Sequence, residues 1–317
     1  MDLLARLAKQ AKKNPKKIVY TDAPDKRLLQ ALKEIKNYAQ PILVGNKDHI
    51  EQELKKYRVK GVAVIDIKDS LLRPKAVEEL LHLRAKKGLT KKQAQNLLLK
   101  KEYFGAMMVQ LGIADAMIGG ATSTTAELVR PALQIIGTKE KFHRVSSVFI
   151  MEINKKIYFF ADCAVNVAPD AKTLSEIALD SAQTARSLGI TPRVALLSFS
   201  TKGSYEGPEV KHIRKAALLA RKKDPSLLID GELQADAALV PSIAKRKLKE
   251  GPIQGNANVL IFPDLNSGNI SYKLLERLGH AKAIGPLLQG LKKPINDLSR
   301  GCSAQDIVNL TILTSTQ

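Results

Sequence analysis

The sequence predicts an α/β protein made of two α/β domains with mostly parallel sheets and an active-site cleft between the domains. Short apolar runs rich in β-branched residues alternate with amphipathic stretches of helical periodicity, which is typical of a parallel sheet covered by helices. The 317 residues exceed the usual size of one domain, and a hydrophobic content of 44% allows a well-buried core. Because ligands of such sheets bind at the carboxyl ends of strands, the site is expected just after strands.

The first half of the chain alternates regularly between predicted strands and helices. It opens with an amphipathic surface helix whose apolar stripe consists of Leu3, Leu4, Leu7 and Ala11. Strands are predicted at 17–20, 41–45, 62–66 and 116–120, and helices at 27–38, 47–56 and, as one long stretch, 71–112. Four hydroxyl residues at 122–125 then open a further helix.

A predicted hairpin interrupts this alternation and indicates a change of domain. Its strands are 145–153 and 156–160, with Asn154 and Lys155 at the corner. A second αβ series follows, so the second domain is predicted to be 143–285. Because the segment 299–306 needs a partner surface, the residues from about 286 are expected to return to the first domain, which becomes 1–142 plus 286–317.

Composition excludes several classes of protein and of site. The formal net charge is +20, yet neither a zinc-finger spacing nor an RNP-like aromatic run accompanies it, so nucleic acid is not expected as a partner. No apolar stretch approaches the length of a membrane span. The two cysteines lie far apart, the five histidines show no metal-binding spacing, and this pattern fits a reducing cytoplasm.

The segment 296–306 groups a hydroxyl, a guanidinium and a carboxylate around a glycine turn. Ser303 reads as a helix N-cap, with Asp306 three residues later and the apolar pair 307–308 behind it. A helix start presents free N–H groups to an anion, and Arg300 can bind one bidentately. The alternative is an ordinary capping pair, which explains Ser303 and Asp306 but leaves the upstream polar residues unexplained.

Two further regions are candidates for anion binding. Glycines 119–120 and the hydroxyls at 122–125 stand where a phosphate can bind, although a plain capped turn has the same pattern. Arg84 and Arg130 lie on predicted helical segments, where most arginines are solvated. Pro131 favours a site role for Arg130, because a proline ends or kinks the helix and can turn the preceding side chain toward a cleft.

Two strand ends in the second half leave alternatives open. Asp230, Glu232 and Asp236 suggest a divalent metal, but three carboxylates are few for an oxygen cage, and solvated side chains are the preferred interpretation. The segment 198–204 combines hydroxyls with Lys202 and either binds a nucleotide-like group or only forms a turn. The Walker spacing and the Gly-x-Gly-x-x-Gly pattern are both missing, so a nicotinamide cofactor has no support.

Taken together, several segments of this sequence resemble those of the phosphate acetyltransferase/phosphate butyryltransferase family. The resemblance covers roughly residues 80–310. It is carried by residues 114–120, Thr125 with 129–136, 144–149, 160–166, 197–204, 230–236, 263–265 and 296–303. It implies the reversible reaction of acetyl-CoA with phosphate to give acetyl phosphate and CoA, with CoA as substrate and without a metal or redox cofactor, in a protein that is usually a homodimer.

The resemblance also implies roles for particular residues. Asp306 would take the thiol proton of CoA, Ser299 would hydrogen-bond the reacting centre and Arg300 would hold the phosphoryl group. Arg84 and Arg130 match arginines that bind substrate anions. The phosphate pocket would be completed by the hydroxyl cluster 122–125, with Ser123, Thr124 and Thr125 as its substrate-binding residues.

Two alternatives to this interpretation stay open. The family often has a histidine before the Ser/Thr-Thr pair where this chain has Ser123, which puts the fine acyl specificity in doubt. A phosphate butyryltransferase, or another short-chain phosphate acyltransferase, is therefore the nearest alternative. The net charge of +20 suggests the other alternative, a basic nucleic-acid-binding protein.

Overall fold

The computed structural model describes residues 3–68, 70–140 and 143–317. The chain divides into two compact units, unit 1 comprising Met1–Lys139 and Leu291–Gln317, and unit 2 comprising Glu140–Gly290. The boundary predicted at 142 falls on a residue outside the described ones, and the predicted return at 286 lies inside strand β10 (Lys282–Gln289), which belongs to unit 2.

Unit 1 contains a parallel sheet of five strands. They are β1 (Lys16–Tyr20), β2 (Ala39–Gly45), β3 (Ala63–Asp66), β4 (Ala116–Gly119) and β11 (Ile295–Asp297), in the order β11-β4-β1-β2-β3. Ile18 of β1 lies opposite Pro41 and Ala116 and is fully buried. Central strands that are covered on both faces need continuous apolar runs, which is why these segments show no alternation.

The helices of unit 1 surround this sheet. They are α1 (Leu3–Lys13), α2 (Lys26–Ile35), α3 (Lys47–Lys56), α4 (Arg73–Leu83), α5 (Lys91–Leu97), α6 (Lys101–Gln110), α7 (Thr125–Pro131) and α13 (Ala304–Thr314). In α1, Leu3, Leu7 and Ala11 of the predicted stripe are buried. The C-terminal α13 packs against α2 and α1, so it covers the same layer as the first helices of the chain.

The long helical stretch predicted over about 71–112 is helical but interrupted, and it forms three helices. A 3-10 turn follows α4 and ends at Gly88, whose φ of 66° is left-handed. Thr90 then starts α5 with a capping box to Gln93. Gly88 and Thr90 are therefore the sequence features that separate the helices, because a glycine often ends a helix and a hydroxyl residue often starts the next one.

Unit 2 contains a mixed sheet of six strands. They are β5 (Ser146–Ile153), β6 (Lys156–Ala161), β7 (Arg193–Leu197), β8 (Leu228–Leu233), β9 (Val259–Ile261) and β10, in the order β10-β5-β6-β9-β7-β8. The β10–β5 and β5–β6 pairs are antiparallel and the others parallel. The predicted hairpin is confirmed, and its corner residues Asn154 and Lys155 have positive φ of 49° and 64°.

Helices also pack on the sheet of unit 2. They are α8 (Ala171–Ser187), α9 (Pro208–Lys223), α10 (Ala235–Leu239), α11 (Pro241–Lys247) and α12 (Leu265–Arg277). Across the described part of the chain, no helix has the length and apolar character needed to cross a lipid bilayer.

Candidate active site

The candidate site of unit 1 lies where three neighbouring strands end. The strands β1, β4 and β11 are adjacent in the sheet, and each is followed by a loop and then a helix. The loops that follow β1, β4 and β11 are the 21–25 loop, the 120–124 loop and the 298–303 loop. The chain runs from β1 to β2 on one side and from β4 to β11 on the other, and such a reversal of strand order opens a crevice for ligands.

The 120–124 loop is held in place by Asp22, which is 3% exposed. Its carboxylate accepts hydrogen bonds from the backbone N–H of Ala121 at 3.0 Å and of Thr122 at 2.9 Å, and from the Thr122 hydroxyl at 2.7 Å. These two N–H groups and the hydroxyl are therefore already bound to Asp22 and are not offered to a ligand. Of the predicted hydroxyl cluster, Thr122 serves to hold the loop.

Gly120 allows β4 to end directly against the 298–303 loop. Its φ is 104°, and an added Cβ would overlap the Asp297 Oδ1 atom and lie 2.7 Å from the Leu298 carbonyl oxygen and 2.8 Å from the Leu298 nitrogen. The neighbouring Gly119 has a similar constraint, since its Cβ would overlap the Thr21 hydroxyl. The predicted glycine pair therefore serves close packing of the three loops.

Asp297 is a buried carboxyl group at the end of β11, only 2% exposed. Its Oδ2 atom accepts a hydrogen bond of 2.6 Å from the Thr125 hydroxyl, and no described residue donates to its Oδ1 atom. Burial raises the pKa of Asp297 to about 7, and the charge of Asp22 acts in the same direction. The hydrogen bond from Thr125, the backbone N–H of Leu298 and the positive charge of Arg300 oppose this increase in the pKa.

The three hydroxyl residues predicted to bind phosphate have different environments. Thr124 caps α7, and its hydroxyl and backbone N–H both donate to Glu127, at 2.9 and 2.8 Å. Thr125 donates to Asp297. The hydroxyl of Ser123 is buried and has no hydrogen-bond partner among the described residues, so its hydrogen is not used to hold this part of the protein.

The predicted cap of α13 is confirmed. The backbone N–H and the hydroxyl of Ser303 both donate to the Asp306 Oδ2 atom at 2.8 Å, and the Asp306 N–H donates back to the Ser303 hydroxyl at 3.2 Å. Within the described residues, the Asp306 Oδ1 atom accepts no hydrogen bond. The capping box therefore orients the carboxylate and leaves one of its oxygens free.

The 298–303 loop exposes Ser299 and Arg300. The Ser299 hydroxyl accepts only a 3.2 Å hydrogen bond from the Gly301 N–H among the residues described. The guanidinium of Arg300 pairs with no carboxylate in the described part of the chain. A cation without a partner at the start of a helix is suited to bind an anion.

Arg27 connects the three loops, and the sequence patterns did not single it out. Its guanidinium donates to the carbonyl oxygens of Ala121 at 2.9 Å, Arg300 at 2.7 Å and Cys302 at 3.1 Å, and it pairs with Asp25 at 2.9 Å. Asp25 in turn caps α2. A sequence signal for them existed, because Asp25 and Arg27 follow the first strand and site residues are expected just after strands.

Arg84 and Arg130 are both close enough to influence the same residue, Tyr103. Burial raises the pKa of the Tyr103 hydroxyl, and the charges of Arg130 and Arg84 oppose this shift. That hydroxyl donates to Gln134 at 2.9 Å. Arg84 is the C-cap of α4, and Arg130 is in the last turn of α7. Neither guanidinium has a hydrogen-bond or ion-pair partner among residues 3–68, 70–140 and 143–317.

Cys302 is a buried thiol beside Arg27. Burial raises its pKa to about 11, Arg27 opposes the shift, and Asp306, Asp22 and Asp25 add to it. The thiol is therefore protonated near neutral pH and a poor nucleophile.

Two carboxylates in strand β8 of unit 2 are more buried than expected. Asp230 and Glu232 were expected to be solvated, but both are buried and lie within β8. Asp230 pairs with Lys202 and, at 3.5 Å, with Arg221, whereas Glu232 pairs with Arg214 at 2.6 Å. Buried carboxylates need such partners. Among the described residues, no three His, Cys, Asp or Glu side chains form a set suited to a metal ion.

The segment 198–204 is held by its own hydrogen bonds. The Ser204 hydroxyl accepts from the Thr201 N–H at 3.0 Å and contacts the Ser200 hydroxyl at 3.0 Å. Lys202 is used by Asp230. These contacts favour the turn over the nucleotide site.

Comparison with known proteins adds to this geometry. The model of the family described as Phosphate acetyl/butaryl transferase matches residues 2–315. The phosphate acetyltransferase of Bacillus subtilis (strain 168) is 44% identical over 323 aligned positions, which cover 100% of this chain and 99% of that protein. Among solved structures, a phosphotransacetylase from Streptococcus pyogenes has a TM-score of 0.94 at 42% identity, covering 99% of this chain and 97% of that one. The EutD phosphotransacetylase from Staphylococcus aureus has a TM-score of 0.91 at 41% identity, with coverages of 99% and 98%.

Proposed function

The chain belongs to the Phosphate acetyl/butaryl transferase family, and from this premise we propose how it carries out the phosphate acetyltransferase reaction. An acetyl group moves reversibly between the sulfur of CoA and an oxygen of inorganic phosphate. The observation that carries the mechanism is that Arg300 and Asp306 lie close together in the chain and both keep unused groups. Among the described residues, the guanidinium of Arg300 pairs with no carboxylate, and only the Oδ2 atom of Asp306 accepts hydrogen bonds.

Asp306 is proposed as the general base in the direction that consumes CoA. Its free Oδ1 atom takes the thiol proton, the sulfur attacks the acetyl carbonyl carbon of acetyl phosphate, and the bond from that carbon to the phosphate oxygen breaks. A thiol has a pKa near ~8.5 and an ordinary carboxylate one near ~4, so the proton transfer is uphill unless cations stabilise the thiolate. The exposed arginine of the 298–303 loop and the two near Tyr103 supply that positive charge.

Arg300 is proposed to hold the phosphoryl group, with Ser299 donating to the reacting centre. Arg84 and Arg130 bind substrate anions beside Tyr103, and the buried Ser123 hydroxyl donates to phosphate. Thr125 is proposed to contribute as well, whereas the hydroxyl of Thr124 already serves the capping box of α7. These groups stabilise the charge that develops on the leaving phosphate.

Most of the acceleration is proposed to come from holding both substrates together. Placing the CoA sulfur against the acetyl carbonyl makes the step effectively unimolecular, which lowers a barrier by up to about 7–11 kcal/mol. This mechanism uses CoA as substrate, needs no metal or redox cofactor, and forms no acyl-enzyme. The raised pKa of Cys302 agrees with a packing role for that residue.

We expect phosphate-dependent release of CoA from acetyl-CoA that is faster than from propionyl- or butyryl-CoA and is lost in Arg300→Gln. The measurement is CoA formation for the three thioesters side by side, with Lys292→Gln as a control that removes one positive charge from the same unit. A strong butyryl preference would point to a phosphate butyryltransferase. Binding of single-stranded or duplex nucleic acid with a steep salt dependence, without CoA release, would support the basic nucleic-acid-binding alternative.

The chain is proposed to form a homodimer, as the resemblance implies. Ile270, Leu274 and Leu278 recur every four residues along α12 and its C-cap and are 55%, 52% and 75% exposed, so they form an apolar stripe that a second copy can cover. We expect the mass of two chains in sedimentation equilibrium at micromolar concentration, and Leu274→Lys should weaken the association. A monomer for the unmodified chain contradicts the proposal.

A cytoplasmic location is proposed as well. Both cysteines, Cys163 and Cys302, are free and buried, which suits a reducing compartment. Fractionation of cells that produce the protein tests this, and recovery outside the cytoplasm would contradict it.

A further inference from the structure

The contact between Asp297 and Thr125 leaves one buried carboxyl oxygen without a donor. The Asp297 Oδ2 and Thr125 Oγ1 atoms are 2.6 Å apart, and the Asp297 Oδ1 atom rests against Gly120 with no hydrogen-bond donor among the described residues. A fully ionised carboxylate at such a position is expected to have two or three donors, as Asp22 has three. The Leu298 N–H also lowers the pKa of Asp297, but it donates to the Gly119 carbonyl oxygen at 2.7 Å, so ionised Asp297 has fewer donors than Asp22.

A hydrogen bond between a hydroxyl and a carboxyl group can run in either direction. When Asp297 is ionised, the only hydrogen of the Thr125 hydroxyl is used by the carboxylate, and Thr125 offers nothing but lone pairs to a bound anion. When Asp297 is protonated, its O–H donates to the Thr125 oxygen, and the Thr125 hydrogen becomes free to point elsewhere. One proton on Asp297 thus decides whether Thr125 is a donor toward a ligand.

We propose that Asp297 is a positioning residue for the inorganic oxyanion substrate, and that the protonated form of Asp297 turns the Thr125 hydroxyl into a donor to that oxyanion. The ionised form removes this donor and adds a negative charge beside the anion. Binding of a tetrahedral oxyanion therefore takes up one proton. The inference deepens the proposed function, because it assumes that Thr125 faces phosphate.

The surroundings of Asp297 support this assignment. Asp22 acts on it from the 21–25 loop and Arg300 is the positive charge on the 298–303 loop. The 120–124 loop and α7 contribute the uncharged Gly120 and Thr125. The pKa of Asp297 is about 7, so both forms are populated at neutral pH. A nearby oxyanion raises this pKa further, since it disfavours a second negative charge.

The direction of the pH dependence follows from this linkage. Oxyanion affinity is fully present below pH 7 and falls as the pH rises, because the proton must then be taken from solution. If the bound oxyanion moves the pKa well beyond the range tested, the affinity decreases about twenty-fold between roughly pH 6.5 and 8.5.

Sulfate is the appropriate probe, since it is a tetrahedral dianion that does not titrate in this range, whereas phosphate itself does. We expect calorimetry of sulfate binding at constant ionic strength to show this loss of affinity in the unmodified chain. Proton uptake should approach one per site near pH 8, measured by comparing buffers of different ionisation enthalpy. Asp297→Asn is expected to show no slope and less uptake, because its amide donates to Thr125 at every pH.

Two further variants make the test specific. Glu127→Gln changes another carboxylate on the same helix as Thr125, α7, and should keep the slope of the unmodified chain. Thr125→Val removes the hydroxyl, should bind sulfate weakly at every pH, and serves as the decisive variant if Asp297→Asn does not fold. A purely structural role for Asp297 predicts equal loss of affinity at all pH values.

The outcomes separate this inference from the proposed function. Sulfate binding with the same pH slope in the unmodified chain and in Asp297→Asn overturns the role of Asp297, as does a flat profile in the unmodified chain. Absence of both sulfate binding and phosphate-dependent CoA release instead overturns the proposed function.

Discussion

Asp306→Asn is expected to lower the turnover of acetyl-CoA by about 10²- to 10⁴-fold while leaving the stability of unit 1 almost unchanged. The carbonyl oxygen of the substituted amide can accept both hydrogen bonds that Ser303 now donates to Asp306 Oδ2, so the cap of α13 is retained. The amide cannot take a proton from the thiol. Steady-state CoA kinetics and thermal unfolding of the same preparation measure the two effects.

Ser303→Ala is the matched control, because it removes the capping hydroxyl and keeps the carboxylate. It should cost about 0.5–2 kcal/mol of stability and change turnover by only a few-fold. Near-normal turnover in Asp306→Asn, together with a loss of stability, would show that Asp306 serves only as a cap.

Gly120→Ala is expected to destabilise unit 1 by about 3–5 kcal/mol. The new methyl group would overlap the Asp297 carboxylate and lie 2.7 and 2.8 Å from two backbone atoms of Leu298, and the φ of 104° disfavours any L side chain. Backbone cannot yield as a flexible side chain can, so the ends of β4 and β11 must separate. Chemical denaturation of the variant and of the unmodified chain measures the difference.

Gly112 provides the comparison for this substitution. Its φ of 71° is also positive, but nothing lies within 4 Å of an added Cβ, so Gly112→Ala should cost only about 1–2 kcal/mol for the left-handed backbone. Equal losses in the two variants would mean that backbone conformation, and not the clash with the 298–303 loop, sets the effect.

Local signals in the sequence predicted much of this architecture. The alternation of apolar runs with amphipathic stretches indicated the parallel sheet of unit 1, and the Ser303 and Asp306 pair indicated the cap that the structure contains. These features depend on residues close together in the chain. The interruptions within the helical stretch 71–112 were missed, because helical periodicity outweighed the stop at Gly88 and the start at Thr90.

Contacts between distant segments were not predictable in the same way. Arg27 binds carbonyl oxygens some 94 and 273 residues further along the chain, and the contact between Thr125 and Asp297 spans 172 residues. A single sequence carries no sign of such pairings, because backbone carbonyls are the same at every position. Burial of Asp230 likewise depends on Lys202 and Arg221 arriving from neighbouring elements.

The way in which Arg27 binds its partners affects how freely the sequence of the site can vary. Its guanidinium grips Ala121, Arg300 and Cys302 through their carbonyl oxygens, which any amino acid supplies. Substitutions of the side chains in the three loops therefore leave these backbone contacts of Arg27 in place. A single fork of donors thereby holds the loops together whatever side chains they carry.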